Sequence, residues 1–430
     1  LEIPVEVQAA EHVDVDFEEA FLELRGGRLA GGFTVLHAVS VASGTGSAIL
    51  LTLPNMPGPA SSDVLRGGGD MGALMRAFDW STTAVGVLGF VWLLTLVPLL
   101  PTLDTNAFLR LLTRPACLWP LALFALAVLG TLWADSPGRD RLQAISPVAR
   151  LLLIPILFYH FQRSKRGMWV FIAFFVSCSI LMGLSWIILL APHLKVAATA
   201  SEGVPVKNYI DQSQEFSLCM VGVLPFVIAF WRERRYAAAA GCAALALAFF
   251  ANMAFVASAR AALLYLSVML VLFAVLYLDR RVSALLLVGL TVVATAVWFS
   301  SPYLRARFAA IPIEYREYEL NIPASTGRRL EYWQKSLRYF SASPVFGNGT
   351  GSIRMLFERD AVGQTGLAAE VTRNPHNQTL AVAVQWGLLG VVLLYAMWLT
   401  HLMLFRGGGT ASWIGLLVVA QNVASSMLNS

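Results

Sequence analysis

The chain has 430 residues, of which 57% are hydrophobic and only 13% are charged, and its mean hydropathy is +0.66. This composition excludes an ordinary soluble domain and is typical of a membrane protein with many spans, so membrane lipids are its expected surroundings. The formal net charge of +5 does not by itself indicate nucleic acid, because in a bilayer protein the position of each charge matters more than the sum. We expect no nucleic-acid partner.

The first 80 residues differ in composition from the rest of the chain. They are acidic from Glu11 to Glu23, then rich in Gly and Ser, and they end near "RGGGD", a linker signal. The apolar run at 33–53 is diluted by Ser, Thr and Gly, so it is only a weak transmembrane candidate. We assign no function to residues 1–80.

Long apolar runs begin at Ala84 and recur to the end of the chain. Each has roughly 17 to 25 residues, the length that crosses about 30 Å of hydrocarbon at about 1.5 Å per residue. The predicted spans are 84–101, 116–133, 147–162, 167–191, 216–231, 236–256, 261–278, 282–300, 378–404 and 411–428. The fold class is therefore an all-α polytopic membrane protein with about 10–12 transmembrane helices. It divides into a helix bundle at 81–300, a loop domain at 301–377 and C-terminal helices at 378–430.

The Lys and Arg residues of the short loops predict which side of the membrane each loop faces. These residues fall on alternate connections, and short loops rich in Lys and Arg are usually cytoplasmic. They are Arg110, Arg114, Arg163, Lys165, Arg166, Arg232, Arg234, Arg235, Arg280, Arg281 and Arg406. The outer side then receives 134–146, 192–215, the turn near Ser258 and the 301–377 segment. Because the span at 84–101 has to begin outside, we expect one further crossing to precede it, either the run at 33–53 or a segment upstream of Leu1.

The 301–377 segment is too long to be an ordinary connection, so we predict a folded cap on the outer side. Residues 331–340 place aromatic and leucine side chains, Trp333 among them, at helical spacing. They predict an amphipathic helix that lies either on the membrane or within its own loop. The glycines of "FGNGTGS" at 346–352 lack the strand and the lysine of a phosphate loop. We interpret them as a flexible turn, with an anion-binding nest of backbone amides as the alternative.

Four outward arginines are candidates for binding an anion. Arg260 stands between two apolar runs, where a charge near membrane depth usually faces a cavity or an ionic partner. Arg328 and Arg329 lie in the cap and Arg150 at the outer end of a span, and guanidinium groups bind phosphate oxygens bidentately. Together they indicate a lipid diphosphate. For Arg260 the alternative is a side chain that reaches the interface, and for the others ordinary solvation.

His376, in "NPHNQTL", stands directly before the span at 378–404. The sequence has neither H-E-x-x-H nor a histidine pair at metal-ligand spacing, so no metal and no other cofactor is expected. A neutral imidazole with a pKa of about 6.5 accepts a proton from an attacking hydroxyl at neutral pH. The alternative is a histidine that caps the helix or lies at the interface.

Four segments resemble the bacterial O-antigen ligases. They are "TGRRLEYWQKSLRYFSASPVFGNGTGS", with an Arg-Leu-x-x-Trp element and a Pro-x-x-Gly-x-Gly-x-Gly turn; "NPHNQTLAVAVQWGLLG", with Pro-His-Asn before a span; "VASARAALLYL", in which one residue separates Ser258 from Arg260; and "LWADSPGRD". The resemblance covers residues 84–430 and leaves 1–80 unexplained.

The resemblance implies a GT-C-like glycosyltransferase of lipopolysaccharide biosynthesis. It would move O-antigen polysaccharide from undecaprenyl diphosphate to the lipid A core oligosaccharide, at the periplasmic face of the bacterial inner membrane. The same resemblance makes His376 the catalytic residue and Arg260 and Arg329 the diphosphate-binding residues. Arg328 and Arg150 are further candidates for the diphosphate, and Asn377 and Trp333 are supporting residues. Direct attack by the acceptor would invert the anomeric centre. Arginines can stabilise the charge of the departing diphosphate without a metal, so the transfer is expected to be inverting and independent of metal.

Two kinds of alternative remain. O-antigen polymerases and pilin-type protein O-oligosaccharyltransferases share the Pro-His-Asn region and differ in the acceptor. An anion transporter is a more distant alternative, because intramembrane arginines and broken helices also suit transport.

Overall fold

The computed structural model describes residues 104–164, 167–194, 203–205, 209–256 and 259–427. Within these ranges the regular elements are 15 α-helices and three 3-10 helices, which confirms the predicted all-α fold. The predicted spans at 33–53 and 84–101, all of residues 1–80, and Ser258 lie outside the described residues.

The α-helices are numbered here in chain order. Helices α1 to α8 cover Thr105–Leu112, Pro115–Leu129, Gly138–Ala149, Leu153–Phe161, Gly167–Leu190, Tyr209–Gly222, Leu224–Arg232 and Tyr236–Phe255. Helices α9 to α15 cover Arg260–Tyr277, Arg280–Ser300, Pro302–Glu319, Ser325–Ala342, Ser352–Ala361, Gln378–Leu404 and Thr410–Ser426. The 3-10 helices cover Arg150–Leu152, Pro192–Leu194 and Gly366–Ala369.

Six helical stretches in the described part of the chain are long and apolar enough to cross a membrane. They are Gly138–Phe161, Gly167–Leu190, Tyr209–Arg232, Tyr236–Phe255, Arg280–Ser300 and Gln378–Leu404. Each overlaps a predicted span, so the chain is a polytopic membrane protein. Helices α1 and α2 form a seventh candidate as a pair bent by 74°.

One predicted span is clearly shorter in the structure than the sequence suggested. The span at 116–133 corresponds to α2, which has 15 residues and is bent away from α1. The spans at 261–278 and 411–428 correspond to α9 and α15, which have 18 and 17 residues. Bilayer thickness sets a length for a straight crossing, and the sequence pattern shows neither a bend nor a shortened helix.

The span predicted at 216–231 begins earlier, at Tyr209, and contains a break at Val223. The break precedes Pro225, which has no N–H to donate to the preceding turn. Gln214 and Glu215, which the prediction left in the loop, are buried in α6. The prediction erred because it treated polar residues as the limit of a buried helix.

Four clusters of buried apolar side chains occur in the described part of the chain, and the three larger ones each join several helices. The largest lies where α5, α6, α8, α9 and α15 meet, and it contains Phe216 and Phe249, both fully buried. The second joins α2 to α14 through Leu126 and Trp386. The third joins α12 and α13 of the cap to the start of α14 around Phe357. The cap is therefore packed onto the N-terminal half of α14.

The glycine turn at 346–352 is packed between α2 and α14, so the expected flexible turn is wrong. The Thr350 amide donates to the Gly130 carbonyl at 3.0 Å, and the Thr350 hydroxyl donates to the Ala127 carbonyl at 2.6 Å. Gly349 has φ of 86°, and a Cβ on it would lie 2.5 Å from Ala134 Cα. Only glycine tolerates both that φ and that approach.

Helix α14 is broken at Gly387, where φ is 62° and ψ is −156°. Beyond the break the amides of Leu388 and Leu389 donate to the carbonyls of Pro344 and Val345, at 2.8 and 3.4 Å. The two residues before the glycine turn thus accept the hydrogen bonds that the broken helix cannot make for itself. Residues 382–387 are continuously buried, and large exposed apolar side chains begin at Leu388. The continuously buried part of α14 therefore ends at the break, and apolar side chains that can face lipid follow it.

Candidate active site

Residues 370–377 lead into α14 and are termed the histidine loop. The Asn374 side-chain oxygen accepts the His376 amide N–H at 2.8 Å, and the Thr372 hydroxyl donates to the Asn374 carbonyl at 2.8 Å. His376 has φ of 57°, in the left-handed region that residues with a Cβ seldom adopt. Such backbone strain persists only where the surroundings hold it, and it is concentrated at functional sites.

Two aromatic residues of α12 hold the histidine loop in place. The Trp333 indole N–H donates to the carbonyl of buried Pro375 at 3.0 Å. The Tyr332 ring stacks on the His376 ring, with 6.3 Å between the ring centroids and 23° between the planes. Helix α12 therefore contacts the imidazole through Tyr332 and the residue before it through Trp333.

Asn377 connects the histidine loop to two helices. Its side-chain oxygen accepts the Leu380 N–H at 3.1 Å, so it caps α14, and its side-chain N–H donates to the Met427 carbonyl at 3.0 Å. An asparagine in this position satisfies one of the free amides at a helix start. The start of α14 is thereby tied to the end of α15.

His376 and Arg329 lie within electrostatic range of each other. Burial lowers the pKa of His376 below its ordinary value of 6.5, and the charge of Arg329 lowers this pKa further. The imidazole is therefore neutral at neutral pH, which is the form that accepts a proton. A base within electrostatic range of a cation suits a reaction in which one group loses a proton while another gains negative charge.

Arg328 has a different environment from its neighbour. Its guanidinium contacts the same Glu370 carboxylate oxygen through Nε at 3.1 Å and Nη2 at 2.9 Å, and the other oxygen of Glu370 accepts the Tyr332 hydroxyl at 3.4 Å. Arg328 is thus engaged with the start of the histidine loop, and its predicted contact with a diphosphate stays a prediction. Sequence reasoning missed Glu370, because no motif marks it.

Arg260 and Arg150 lie on other elements. Arg260 is the first residue of α9, and the amide of the preceding Ala259 donates to the Ser213 hydroxyl on α6 at 3.1 Å. Arg150 begins the 3-10 helix between α3 and α4, which packs on α2. Helix α15 contacts both α9 and α14, so it connects the helix of Arg260 to that of the histidine loop.

A buried polar network on α6 was also missed. Gln214 donates to the Ser425 hydroxyl on α15 at 3.0 Å, Gln421 donates to the Gln214 carbonyl at 2.5 Å, and Gln212 donates to the Ser185 hydroxyl at 3.2 Å. The signal was present as the polar run "YIDQSQE" next to an apolar run. Polar side chains at such a depth are stable only when they pair with one another, and here they fix α6 against α15.

Comparison with known proteins places most of these residues in one family domain. Residues 245–395 match the family model described as O-antigen ligase, a range that contains Arg260, Arg328, Arg329 and His376 and excludes Arg150. No curated protein matches the chain.

Proposed function

We propose, from the match of residues 245–395 to the O-antigen ligase family model, that the chain transfers O-antigen polysaccharide from undecaprenyl diphosphate to the lipid A core oligosaccharide. The proposed site faces the periplasm at the bacterial inner membrane, and the transfer belongs to lipopolysaccharide biosynthesis. The observation that carries the proposal is a half-buried His376 inside the matched domain, held against the Tyr332 ring and within electrostatic range of Arg329.

In the proposed reaction His376 is the base. It takes the proton from an acceptor hydroxyl, and the hydroxyl oxygen forms a bond to the anomeric carbon of the donor sugar. The bond between that carbon and the diphosphate oxygen breaks, and the diphosphate leaves with the electron pair. Attack from the side opposite the leaving group inverts the anomeric centre.

The arginines are assigned to the leaving group. A departing diphosphate gains negative charge, and fixed guanidinium groups stabilise that charge without reorganisation of water. Arg329, beside His376, and Arg260, at the start of α9, are the main candidates. Arg150 is a further candidate, and Arg328 becomes one only by giving up or sharing its contact with Glu370.

Metal independence is part of the proposal. Among the described residues no group of three or more His, Cys, Asp or Glu side chains is placed to hold a metal ion. The test is transfer by purified protein in excess chelator. Activity that survives supports the proposal, and activity that is lost and returns with added metal contradicts it.

The function itself is tested by complementation in two bacterial hosts. In a host without its ligase, the chain is expected to restore lipopolysaccharide bands that carry O-antigen. In a host without its polymerase, a polymerase would instead convert bands with one repeat unit into a ladder. Restoration only in the second host would overturn the ligase assignment in favour of a polymerase.

The catalytic role of His376 is tested in the same ligase-deficient host. His376→Ala is expected to abolish the restored bands while the protein is still found in the membrane. His193, an exposed histidine outside the matched domain, provides the control variant His193→Ala, which is expected to retain transfer. Bands restored by His376→Ala would refute its role as the base.

A further inference from the structure

Tyr332 lies between two rings in the cap. It is 6% exposed, it meets Phe357 edge-on with 5.6 Å between centroids, and its other neighbour is the His376 ring. Burial and the nearby Glu370 raise the pKa of Tyr332 to about 12, so it remains a neutral phenol at physiological pH. It therefore contributes a neutral ring and a hydroxyl hydrogen bond rather than a charge.

Glu370 joins three parts of the cap. Its carboxylate accepts Arg328 on one oxygen and the Tyr332 hydroxyl on the other. It also stands at the end of the 3-10 helix Gly366–Ala369 and begins the histidine loop. The loop is therefore attached to α12 at both ends, through Glu370 at the start and through the Trp333 contact with Pro375 near His376.

We propose that Glu370 is a positioning residue for His376, acting through Tyr332, and this inference rests on the proposed transfer. The arrangement Arg328–Glu370–Tyr332 is termed the tyrosine brace. It fixes the ring against which the imidazole stacks, and it assigns separate tasks to two adjacent arginines. Arg328 holds the brace, whereas Arg329 acts on His376 directly.

The cap contains a matched control for the brace. Further along α12, Arg338 pairs with Asp360, and the hydroxyl of Tyr339, one heptad after Tyr332, donates to the same carboxylate at 2.6 Å. The Tyr339 ring also meets Phe357 edge-on, at 5.3 Å. The chemistry of this second set repeats that of the tyrosine brace. The ring that stacks on His376 is that of Tyr332, so the second set isolates structural effects from positioning effects.

The kinetic test uses the full chain in lipid nanodiscs and compares Glu370→Gln and Tyr332→Leu with Asp360→Asn and Tyr339→Leu. The first pair is expected to lower kcat, with KM for the lipid-linked donor unchanged. A misplacement of about 1 Å costs about 10²-fold, so a tenfold or larger loss in kcat is expected for Tyr332→Leu. Tyr332→Phe, which keeps the ring, is expected to retain more activity than Tyr332→Leu. The second pair is expected to leave kcat within about twofold, because its contacts do not include His376.

A second readout does not depend on activity. Diethyl pyrocarbonate modifies exposed neutral imidazoles, and its reaction with His376 is followed by mass spectrometry with His193 as the internal reference. Glu370→Gln and Tyr332→Leu are expected to raise the rate of modification of His376, and Asp360→Asn is expected to leave it unchanged.

Equal rates of modification in all variants would overturn the brace even if the chain is a ligase. An active His376→Ala variant would refute the base role of His376, and the brace with it, whereas absence of transfer by the unsubstituted chain would overturn the proposed function. A raised donor KM in Arg328→Gln, with unchanged His376 modification, would assign Arg328 to the donor and refute its part in the brace.

Discussion

Replacement of Trp333 by phenylalanine removes one hydrogen bond from the histidine loop while an aromatic side chain remains. The bond runs from the indole N–H to the carbonyl of Pro375, the residue before His376, at 3.0 Å. Because Pro375 is buried, its carbonyl would be left without that donor, which costs about 1–3 kcal/mol. If that free energy is lost from the reactive geometry, kcat falls by about 5- to 150-fold, since about 1.4 kcal/mol corresponds to tenfold.

Trp386→Phe is the matched control for this prediction. The Trp386 indole N–H donates to the buried Thr350 hydroxyl at 2.8 Å, so the variant loses the same kind of hydrogen bond and the same ring volume. Both variants are expected to lower the thermal stability of the detergent-purified protein by a similar amount. Only Trp333→Phe is expected to lower kcat per folded molecule in a transfer assay with a lipid-linked donor. Equal losses of kcat in the two variants, or full activity in Trp333→Phe, would refute the reasoning.

Three further predictions concern the pKa of His376, the start of α14 and the role of Arg260. With the pKa of His376 held below 6.5 by burial and by Arg329, activity is expected to fall only when the pH drops through that lowered pKa. Arg329→Gln should move this acid limb upward toward pH 6.5, whereas Arg329→Lys, which keeps the charge, should leave it in place; identical pH profiles for both variants would contradict the electrostatic link. Asn377→Ala removes the cap of α14 and the contact with Met427, and it is expected to lower the free energy of unfolding by about 1 kcal/mol, with Asn377→Asp retaining the cap; an unchanged melting temperature in Asn377→Ala would exclude this role. Arg260→Lys is expected to lose most of the transfer activity because a single ammonium group cannot bind a diphosphate bidentately, and full activity in this variant would favour a side chain that only reaches the interface.

Local sequence patterns were sufficient where the structure depends on neighbouring residues. The start of α14 could be predicted because Asn377 caps its own helix. Trp333 was proposed as a supporting residue through the family resemblance, but its contact with Pro375 could not be predicted, because 42 residues separate the two in the chain. Glu370 was missed for the same reason. Its partner Arg328 is equally far away in sequence, and their contact depends on the path by which the loop returns to α12.

Elements that depend on tertiary packing were the least predictable. A glycine within an apolar run gives no sign of a break, and Gly387 becomes one because the carbonyls of Pro344 and Val345 replace the helical acceptors. The polar start of α6 was misassigned because sequence patterns treat each side chain as if it had to be hydrated. Gln214 avoids that requirement by pairing with Ser425 on α15.

The break in α14 has a consequence for the height of the active site. From Gln378 to Gly387 the helix rises about 14 Å, at about 1.5 Å per residue. Asn377 caps one end of this interval. At the other end, Pro344 and Val345 accept hydrogen bonds from the amides that follow Gly387, so α14 cannot slide along its axis without breaking hydrogen bonds. The imidazole is thereby kept at a constant distance from the lipid-facing part of the helix. A substrate anchored in the bilayer would meet it at the same level in every catalytic cycle.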